Sequence, residues 1–294
     1  PSKSRVMVLE FYGKSMVPAA ELVRKIVELR DRIRAIELLG KRQKVVAGSL
    51  ADTDVVGFYS GETKSCFVVL HYVEGELAET IKETTKEVTS RLADWTYGRT
   101  SSWDEALHRV VLGIEYGGMN DCLYNLYKYT KSENHLSAAH SFDEMTLFEP
   151  LYNGQDVLNG KHANTTIPKI IGALNRYTVT GEEYYLQVAA NFWEMVIKNH
   201  TYITGVNSEW EHFGEPKVLD AERTNCNCET CNTYNMLKLT RELFKITGDK
   251  KYSDYYENTF INAILSSQNP QTGMTTYFQP MATGFFKVYS SPTD

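Results

Sequence analysis

The pattern of apolar and polar positions changes character near residue 92. Before that point, β-type apolar stretches bounded by turn residues predict three strands, at 6–12, 54–60 and 65–72. Apolar residues at steps of three to five predict a helix over 18–39, and a second helical pattern covers 74–92. Residues 1–88 are therefore expected to form a small α+β region, for which the sequence indicates no family.

From about residue 93 the pattern is a series of helical hairpins. Three helices end in an aromatic-x-x-Thr motif, at Tyr127–Thr130, Tyr177–Thr180 and Phe244–Thr247. A short turn and a second helix follow each motif, and Gly181 and Gly248 suit the position after a helix, where φ is positive. The spacing between successive hairpins is long and irregular, which indicates an (α/α) toroid. Residues 89–294 are therefore predicted to be a mainly helical domain. Residues 275–289 are predicted to be strands.

Composition and charge narrow the function classes. Hydrophobic residues make up 42% of the chain and charged residues 23%, which suits a globular core. The net charge is −6 without runs of like charge, so we expect no nucleic-acid or anionic-membrane partner. No apolar stretch reaches 18 residues, and the first residues do not resemble a signal peptide, so the sequence predicts a cytoplasmic protein without a membrane span.

Three of the five cysteines fall within six residues: Cys226, Cys228 and Cys231, with Glu229 between the last two. Thiolates and a carboxylate bind Zn²⁺ well, so this cluster predicts a zinc site. A helix begins just after it, and a helix N-terminus favours thiolate at neutral pH. The alternative is that these cysteines are buried and inert.

The loop at residues 207–214 combines carboxylates, a histidine and aromatic rings. A glycosidase needs a carboxylic acid to protonate the leaving oxygen, with its pKa raised by a partly apolar site. Trp210 and Phe213 would supply that apolar surface around Glu211, and Trp210 and His212 are candidate substrate contacts. The alternative is a solvated acidic loop.

Two further segments carry candidate substrate contacts. His162 and Asn164 precede Pro168, which suits the first turn of a helix, so both lie at the mouth of that helix. Asn120 follows the pair Gly117-Gly118, which permits close approach of a ligand. A capping or packing role is the alternative for the histidine.

Taken together, these segments resemble glycoside hydrolase families 127 and 146 over about residues 89–294. The pieces that carry the resemblance are Leu92–Trp95, Glu115–Asn120, His162–Pro168, Glu211–Phe213 and Glu229–Asn235. The resemblance implies an (α/α)6 barrel followed by β-sandwich domains, and activity on β-L-arabinofuranosides of plant glycans. Such a barrel has twelve helices and the sequence indicates seven to nine, so the barrel is expected to be partial.

The resemblance also implies roles for single residues. Glu229 and Cys231 match two zinc ligands, with Cys226 and Cys228 as further candidates, and Glu211 matches the general acid/base. His162 matches a histidine that contacts the sugar. The family's remaining zinc ligands, one of them the thiolate nucleophile, come from a downstream Cys-Cys pair, and no cysteine follows Cys231. We therefore expect the chain to be a fragment.

Two other functions stay open at this point. A different (α/α) glycosidase or lyase would pair Glu211 with Glu209 or Asp220 and need no metal. A helical carbohydrate-binding or scaffold protein would use the cysteines for a structural zinc. A zinc assay separates the first alternative, and sugar binding without turnover would indicate the second.

Overall fold

The computed structural model describes the backbone of five strands before residue 74, residues 76–114 and residues 116–290, with side chains from residue 85 onward. The chain divides into two compact units, Pro1–Leu92 and Ala93–Asp294. No helix in the described part is long and apolar enough to cross a membrane.

The first unit contains an antiparallel sheet with the strand order β1-β5-β4-β3-β2. Its strands are β1 (Ser4–Tyr12), β2 (Ile33–Arg34), β3 (Gln43–Leu50), β4 (Thr53–Ser60) and β5 (Ser65–Val73). The three predicted strands correspond to β1, β4 and β5, whereas the sequence pattern missed β3. The helix predicted at 18–39 lies outside the described residues except at Ile33–Arg34, where the prediction is wrong because these residues pair with β3.

Helices dominate the rest of the described chain, as the sequence predicts. They are α1 (Glu76–Thr100), α2 (Glu105–Leu112), α3 (Met119–Thr130), α4 (Glu133–His140), α5 (Met145–Tyr152), α6 (Ala163–Thr180), α7 (Glu183–Met195), α8 (Thr230–Thr247) and α9 (Lys250–Thr259). Two of them continue in wider turns: α7 through the π-helical Val196–His200, and α9 through Phe260–Ile264.

The aromatic-x-x-Thr motifs end α3, α6 and α8 with one shared local structure. The next residue has a left-handed φ, which is 53° at Lys131, 77° at Gly181 and 68° at Gly248. Its backbone N–H donates to the carbonyl of the motif's aromatic residue. In all three helices the threonine hydroxyl donates to the carbonyl four positions earlier. These bonds use carbonyls that would otherwise lack a partner at the helix end.

Helix α6 is central, since it packs against α3, α7 and α8. Ile167, Ile171 and Leu174 on α6 join Phe192 on α7 and Leu239 on α8 in one buried cluster. Each such side chain stabilises the fold by about 1.5–3 kcal/mol relative to exposure. The cluster therefore fixes the N-terminal ends of α6 and α8, on which the candidate site is built.

The strands predicted at 275–289 are wrong. Over the described residues 268–290 the chain forms only isolated bridges, between Gln268 and Thr275 and between Thr276 and Tyr289. The backbone N–H groups of Gln279 and Met281 instead donate to carbonyls of the loop before α8. A segment paired residue by residue with irregular loops has no continuous partner, and so forms no ladder.

Candidate active site

The candidate site forms where loops from distant parts of the sequence lie side by side. Their backbones are joined by hydrogen bonds from the N–H of Ala163 to Glu211 O (2.7 Å), from Trp210 to Cys226 O (2.9 Å), and from Thr230 to Tyr277 O (3.1 Å). The adjoining segments are 160–163, 208–213, 226–230 and 276–279. This arrangement brings side chains of all four segments into one hydrogen-bonded group, made of His162, Glu211, Glu229 and Tyr277.

His162 is the residue before α6 and serves as its cap. Its Nδ1 accepts a hydrogen bond from the N–H of Thr165 at 3.3 Å. In the neutral ring the proton is therefore on Nε2, which lies 3.1 Å from Glu211 Oε2 and donates to it. The start of α6 thus fixes both the tautomer of His162 and the direction of its bond to Glu211.

Glu211 lies on a tight two-residue turn. The backbone groups of Glu209 and His212 bond to each other in both directions, at 2.9 and 3.0 Å. The two residues between them have positive φ, 44° at Trp210 and 68° at Glu211. Turns of this kind favour Asn and Gly, so Trp and Glu here carry backbone strain of about 1–3 kcal/mol each. The surrounding loops hold the carboxylate in a conformation that an isolated turn would avoid.

Tyr277 connects the two central glutamates. Its hydroxyl lies 2.6 Å from Glu211 Oε1 and 2.9 Å from Glu229 Oε1. A phenol has one proton to donate, so the hydroxyl couples the ionisation of the two carboxyl groups. The contact with Glu211, together with partial burial and Glu229, raises the pKa of Tyr277.

The pKa of Glu211 is lowered, which contradicts the expectation of an apolar environment. The hydrogen bond from Tyr277 is the largest cause; burial is the next largest and opposes it, and the bond from His162 lowers the pKa further. The two predicted apolar neighbours do not enclose it. Phe213 is buried edge-on to Phe192 in the core, and the Trp210 side chain is 60% exposed.

Glu229 and Cys231 lie together at the start of α8. Glu229 is buried, and its Oε2 has no hydrogen-bond partner in the described part of the chain. Burial and a hydrogen bond to Glu229 raise the pKa of Cys231 to about 11. The helix N-terminus therefore does not leave this thiol ionised, contrary to the sequence-based expectation. An unpartnered buried carboxylate oxygen beside a thiol fits a cation-binding pair.

The other two clustered cysteines are not brought to this pair. Among the described residues, no group of three or more His, Cys, Asp or Glu side chains is placed to hold a metal ion. Cys228 packs in a small apolar cluster with Tyr202, Val206 and Ala263, and burial raises its pKa well above the usual value. Cys226 lines an apolar cavity beside Phe278. Burial also raises the pKa of the Cys226 thiol.

Three predicted substrate contacts lie in these adjoining segments or next to them. The His212 ring packs edge-on to His162 at 5.2 Å, and its Nδ1 bonds to the carbonyl of Trp210 at 2.6 Å. Asn164 Oδ1 accepts a hydrogen bond from Asn235 of α8 at 2.8 Å, which links the starts of α6 and α8. The structure therefore gathers His162, His212 and Asn164 near Glu211, with Trp210 exposed at the edge.

A comparison with known families decides the identity. A sequence model of the β-L-arabinofuranosidase GH127 catalytic domain matches residues 66–294. The chain belongs to glycoside hydrolase family 127. The family 127 match begins within β5, earlier than the resemblance at residue 89, and so includes the whole of α1. It confirms the mainly helical (α/α)6-barrel-type fold that the sequence predicts.

Three solved structures are similar to parts of this chain. A glycoside hydrolase is 15% identical, with a TM-score of 0.55 over 70% of this chain and 39% of that chain. A GH127 β-arabinofuranosidase is 25% identical, with a TM-score of 0.49 over 55% of this chain and 27% of its own. A GH127 β-L-arabinofuranosidase from Geobacillus stearothermophilus T6 is 22% identical, with a TM-score of 0.45 over 55% of this chain and 30% of its own. This chain spans less than half of each. None of the curated proteins searched matches it.

Asn120 has a different setting in this family 127 domain. It is fully buried where Gly172 lets α3 approach α6, and a Cβ on that glycine would lie 2.1 Å from the amide. Its Nδ2 donates to Lys169 O and Asp143 Oδ1, and its Oδ1 accepts from the N–H of Asp121. Because these bonds occupy the amide, the structure does not support the predicted substrate contact.

Tyr277 is the site residue that the sequence pattern missed. It belongs to the segment 275–289, whose aromatic and threonine residues indicated strands. Nothing local distinguishes it from a strand tyrosine. Its role becomes visible only through the hydrogen bonds to Glu211 and Glu229, which lie 66 and 48 residues away in sequence.

Proposed function

We propose that this domain belongs to a retaining β-L-arabinofuranosidase that acts on arabinose-containing plant glycans. The observation that carries the proposal is the placement of Glu211, whose two carboxylate oxygens are bonded separately by Tyr277 and His162. These bonds fix the orientation of one carboxyl group, with a proton donor on each side. General acid/base catalysis at a glycosidic bond needs such an oriented carboxyl group.

In this proposal Glu211 protonates the departing oxygen and later accepts a proton from water. Protonation of Glu211 weakens the bonds from Tyr277 and His162, because both donors favour the ionised form. The two donors therefore stabilise the carboxylate that remains after the leaving group takes the proton. His162 holds Oε2 toward the start of α6, and Tyr277 holds Oε1 toward Glu229.

Glu229 and Cys231 are the residues that would hold zinc. The unpartnered Glu229 Oε2 and the adjacent thiol fit two ligands of such an ion. Zinc, when bound, keeps thiols ionised at neutral pH, which the attacking cysteine of a retaining mechanism requires. Cys226 and Cys228 remain candidate ligands, although burial raises the pKa of both thiols and favours their neutral form.

A second candidate is a metal-independent glycosidase with two carboxylates. Tyr277 places Glu211 and Glu229 on either side of one hydroxyl, which suits a close carboxylate pair. The two partners suggested by the sequence are engaged elsewhere: Glu209 accepts from the Thr224 hydroxyl at 3.1 Å, and Asp220 forms an exposed ion pair with Arg223. If this candidate holds, Glu229 is the second carboxylate.

The experiment uses an active enzyme that contains this domain and a chromogenic β-L-arabinofuranoside. Glu211→Gln is expected to lower turnover by about 10²–10⁴-fold, because it removes the proton donor. Glu209→Gln is the matched control and should retain most activity. Chelation should abolish activity if a zinc-held thiolate attacks, and should leave it unchanged if Glu229 does. Greater damage from Glu209→Gln would contradict the assignment of Glu211.

A further inference from the structure

An apolar cavity lies next to the hydrogen-bonded group of the candidate site. Its volume is about 270 Å³, close to the lower end of the range of about 300–1,000 Å³ that is usual for small-molecule sites. The ring of Tyr277 forms part of its wall, and the hydroxyl of the same residue bonds to Glu211 Oε1 at 2.6 Å. The cavity therefore lies within the length of one tyrosine side chain of the Glu211 carboxylate.

A second set of contacts joins the turn of Glu211 to the cavity wall. Trp210, the neighbour of Glu211 in that turn, packs edge-on to the lining residue Phe278, with 6.0 Å between the ring centroids. The backbone N–H of Trp210 donates to the carbonyl of Cys226, which also lines the cavity. Phe278 in turn packs edge-on to Tyr277 at 4.8 Å. An aromatic wall therefore begins beside the carboxyl group that is to protonate the departing oxygen.

The opposite wall of the cavity is a loop whose base is anchored. Thr276 and Tyr289 pair in an antiparallel bridge, so residues 277–288 form a closed loop between them. Inside this loop the buried Gln279 donates a hydrogen bond from Nε2 to the carbonyl of Ala263 at 2.6 Å. A wall that is held in place before a ligand arrives loses little conformational freedom on binding. The loop is thus suited to bind a rigid group.

The wall offers few partners for hydrogen bonds. The loop contributes the rings of Phe285 and Phe286, and the Tyr277 hydroxyl is engaged by the two glutamates. Asn225 and Cys226 bring the other polar side-chain atoms of the lining. A sugar ring has several hydroxyl groups that need partners when they leave water, whereas an aromatic ring has none and gains ring contacts. The lining therefore favours an aromatic occupant.

We propose that this cavity is the leaving-group subsite of the enzyme and that it takes an aromatic ring attached to the departing oxygen. Its role as a subsite rests on the proposed function, whereas its affinity for an aromatic ring does not. As the glycosidic C–O bond breaks, the proton of Glu211 passes to the oxygen and the aryl group leaves as a phenol. Phe286 lines the cavity while 82% of it is exposed, so a bound ring would cover apolar surface that is otherwise in water.

The first test is a titration of the full chain with p-cresol, a phenol that is uncharged at neutral pH. The methyl signals of the lining residue Val288 report occupancy in NMR spectra of valine-labelled chain, and Val288→Ala assigns them. Saturable shifts are expected with p-cresol, because a bound aromatic ring changes the magnetic environment of adjacent methyl groups. L-arabinose at the same concentration should leave the signals in place. No saturable shift with p-cresol, or a larger shift with L-arabinose, would overturn the proposal.

Substitutions of Phe286 test the wall itself. Phe286→Ala is expected to weaken p-cresol binding about 3–10-fold, because it removes one ring contact, and Phe286→Tyr should retain the affinity within about twofold. The exposure of Phe286 makes both variants compatible with folding. Phe244→Ala is the matched control, since Phe244 is also exposed but lies in the last turn of α8, at the opposite end from Glu229. Equal affinities in Phe286→Ala and Phe244→Ala would overturn the assignment.

The second test compares p-tolyl and methyl β-L-arabinofuranosides in an active enzyme that contains this domain. The ratio of kcat/KM between variant and unmodified enzyme is taken for each substrate, so the intrinsic reactivity of the two leaving groups cancels. Phe286→Ala should lower kcat/KM about 3–10-fold for the p-tolyl glycoside and change it less than about twofold for the methyl glycoside. Equal losses on both would overturn the subsite. Turnover of neither glycoside would contradict the proposed function, and the p-cresol titration would still decide whether the cavity binds an aromatic ring.

Discussion

At the scale of single residues, the surroundings of Glu211 decide its chemistry more than its residue type does. The sequence identifies a carboxylate beside aromatic rings, from which a raised pKa is expected. The structure turns the rings away and gives the carboxylate two hydrogen-bond donors, Tyr277 and His162. Donors to the ionised form outweigh partial burial, so the pKa falls.

This balance predicts a pH effect of Tyr277→Phe in an active enzyme that contains the domain. Loss of the hydroxyl removes the largest cause that lowers the pKa of Glu211, so the pKa rises. The protonated acid then persists to higher pH, and the alkaline limb of the kcat/KM profile should move upward. Tyr129→Phe, at an exposed position on α3, is the control. A limb that stays in place or moves downward would contradict the role of Tyr277.

A second residue-scale prediction concerns metal content. The freshly purified, reduced chain should carry up to one zinc, and Cys231→Ser should lose it, because the serine hydroxyl is a far weaker ligand than a thiolate. Cys122→Ser is the matched control, since Cys122 is a free, exposed thiol on α3. Plasma emission spectrometry measures the ratio. Equal zinc in the two variants would exclude Cys231 as a ligand.

At the scale of elements, the three hairpins show how a short motif fixes a helix end. The threonine, the aromatic carbonyl and the left-handed residue after the helix recur in α3, α6 and α8. Two of the three left-handed positions are glycine, which reaches positive φ without a steric penalty. The third is Lys131, with φ of 53°. The motif therefore sets the turn even where the residue type is unfavourable.

Substitutions at Lys131 and Gly181, the left-handed residues after α3 and α6, should change the free energy of unfolding in opposite directions. Lys131→Gly is expected to raise the free energy of unfolding by about 0.5 kcal/mol, because relief of the left-handed strain exceeds the added chain entropy. Gly181→Ala should lower it by about 1 kcal/mol through φ strain alone, since no atom lies within 4 Å of the new Cβ. Urea unfolding measures both. A loss of stability in Lys131→Gly would show that the side chain of Lys131 outweighs its strain.

At the scale of the whole molecule, the site depends on segments that meet only when the helices have packed. His162 directly precedes α6 and Glu229 directly precedes α8, and the core between the two helices sets their separation. The loops with Glu211 and Tyr277 then pair with these helix starts through backbone hydrogen bonds. The carboxylates and the histidine of the site are thus assembled in this chain.

The attacking thiolate of the proposed mechanism is not assembled in the same way. Cys228 is buried in an apolar cluster, and the pKa of Cys231 is about 11. We therefore expect the 294-residue chain alone not to hydrolyse a chromogenic β-L-arabinofuranoside, because Cys231 matches a zinc ligand and not the nucleophile, and burial favours the neutral thiols of Cys226 and Cys228. Turnover that is lost in Glu211→Gln would contradict this and would assign the nucleophile to one of Cys226, Cys228 and Cys231.

The sequence by itself determined the elements whose signals are local. Hairpin ends follow from the aromatic-x-x-Thr motif and its glycines, and periodic apolar positions predict most of the helices. The roles proposed for Glu211, His162, Glu229 and Cys231 likewise rest on residue types and spacings within short segments. These features depend on neighbours within a few residues, so a linear pattern is sufficient to find them.

Only the tertiary structure decided how those residues act on one another. It paired the segment of Tyr277 with loops instead of strands, placed Asn120 in the helical core, and separated Cys228 from Cys231. It also reversed the expected pKa shift of Glu211. Each of these outcomes depends on contacts between residues far apart in sequence, and a hydrogen bond or a burial cost acts only when packing has brought the two groups together.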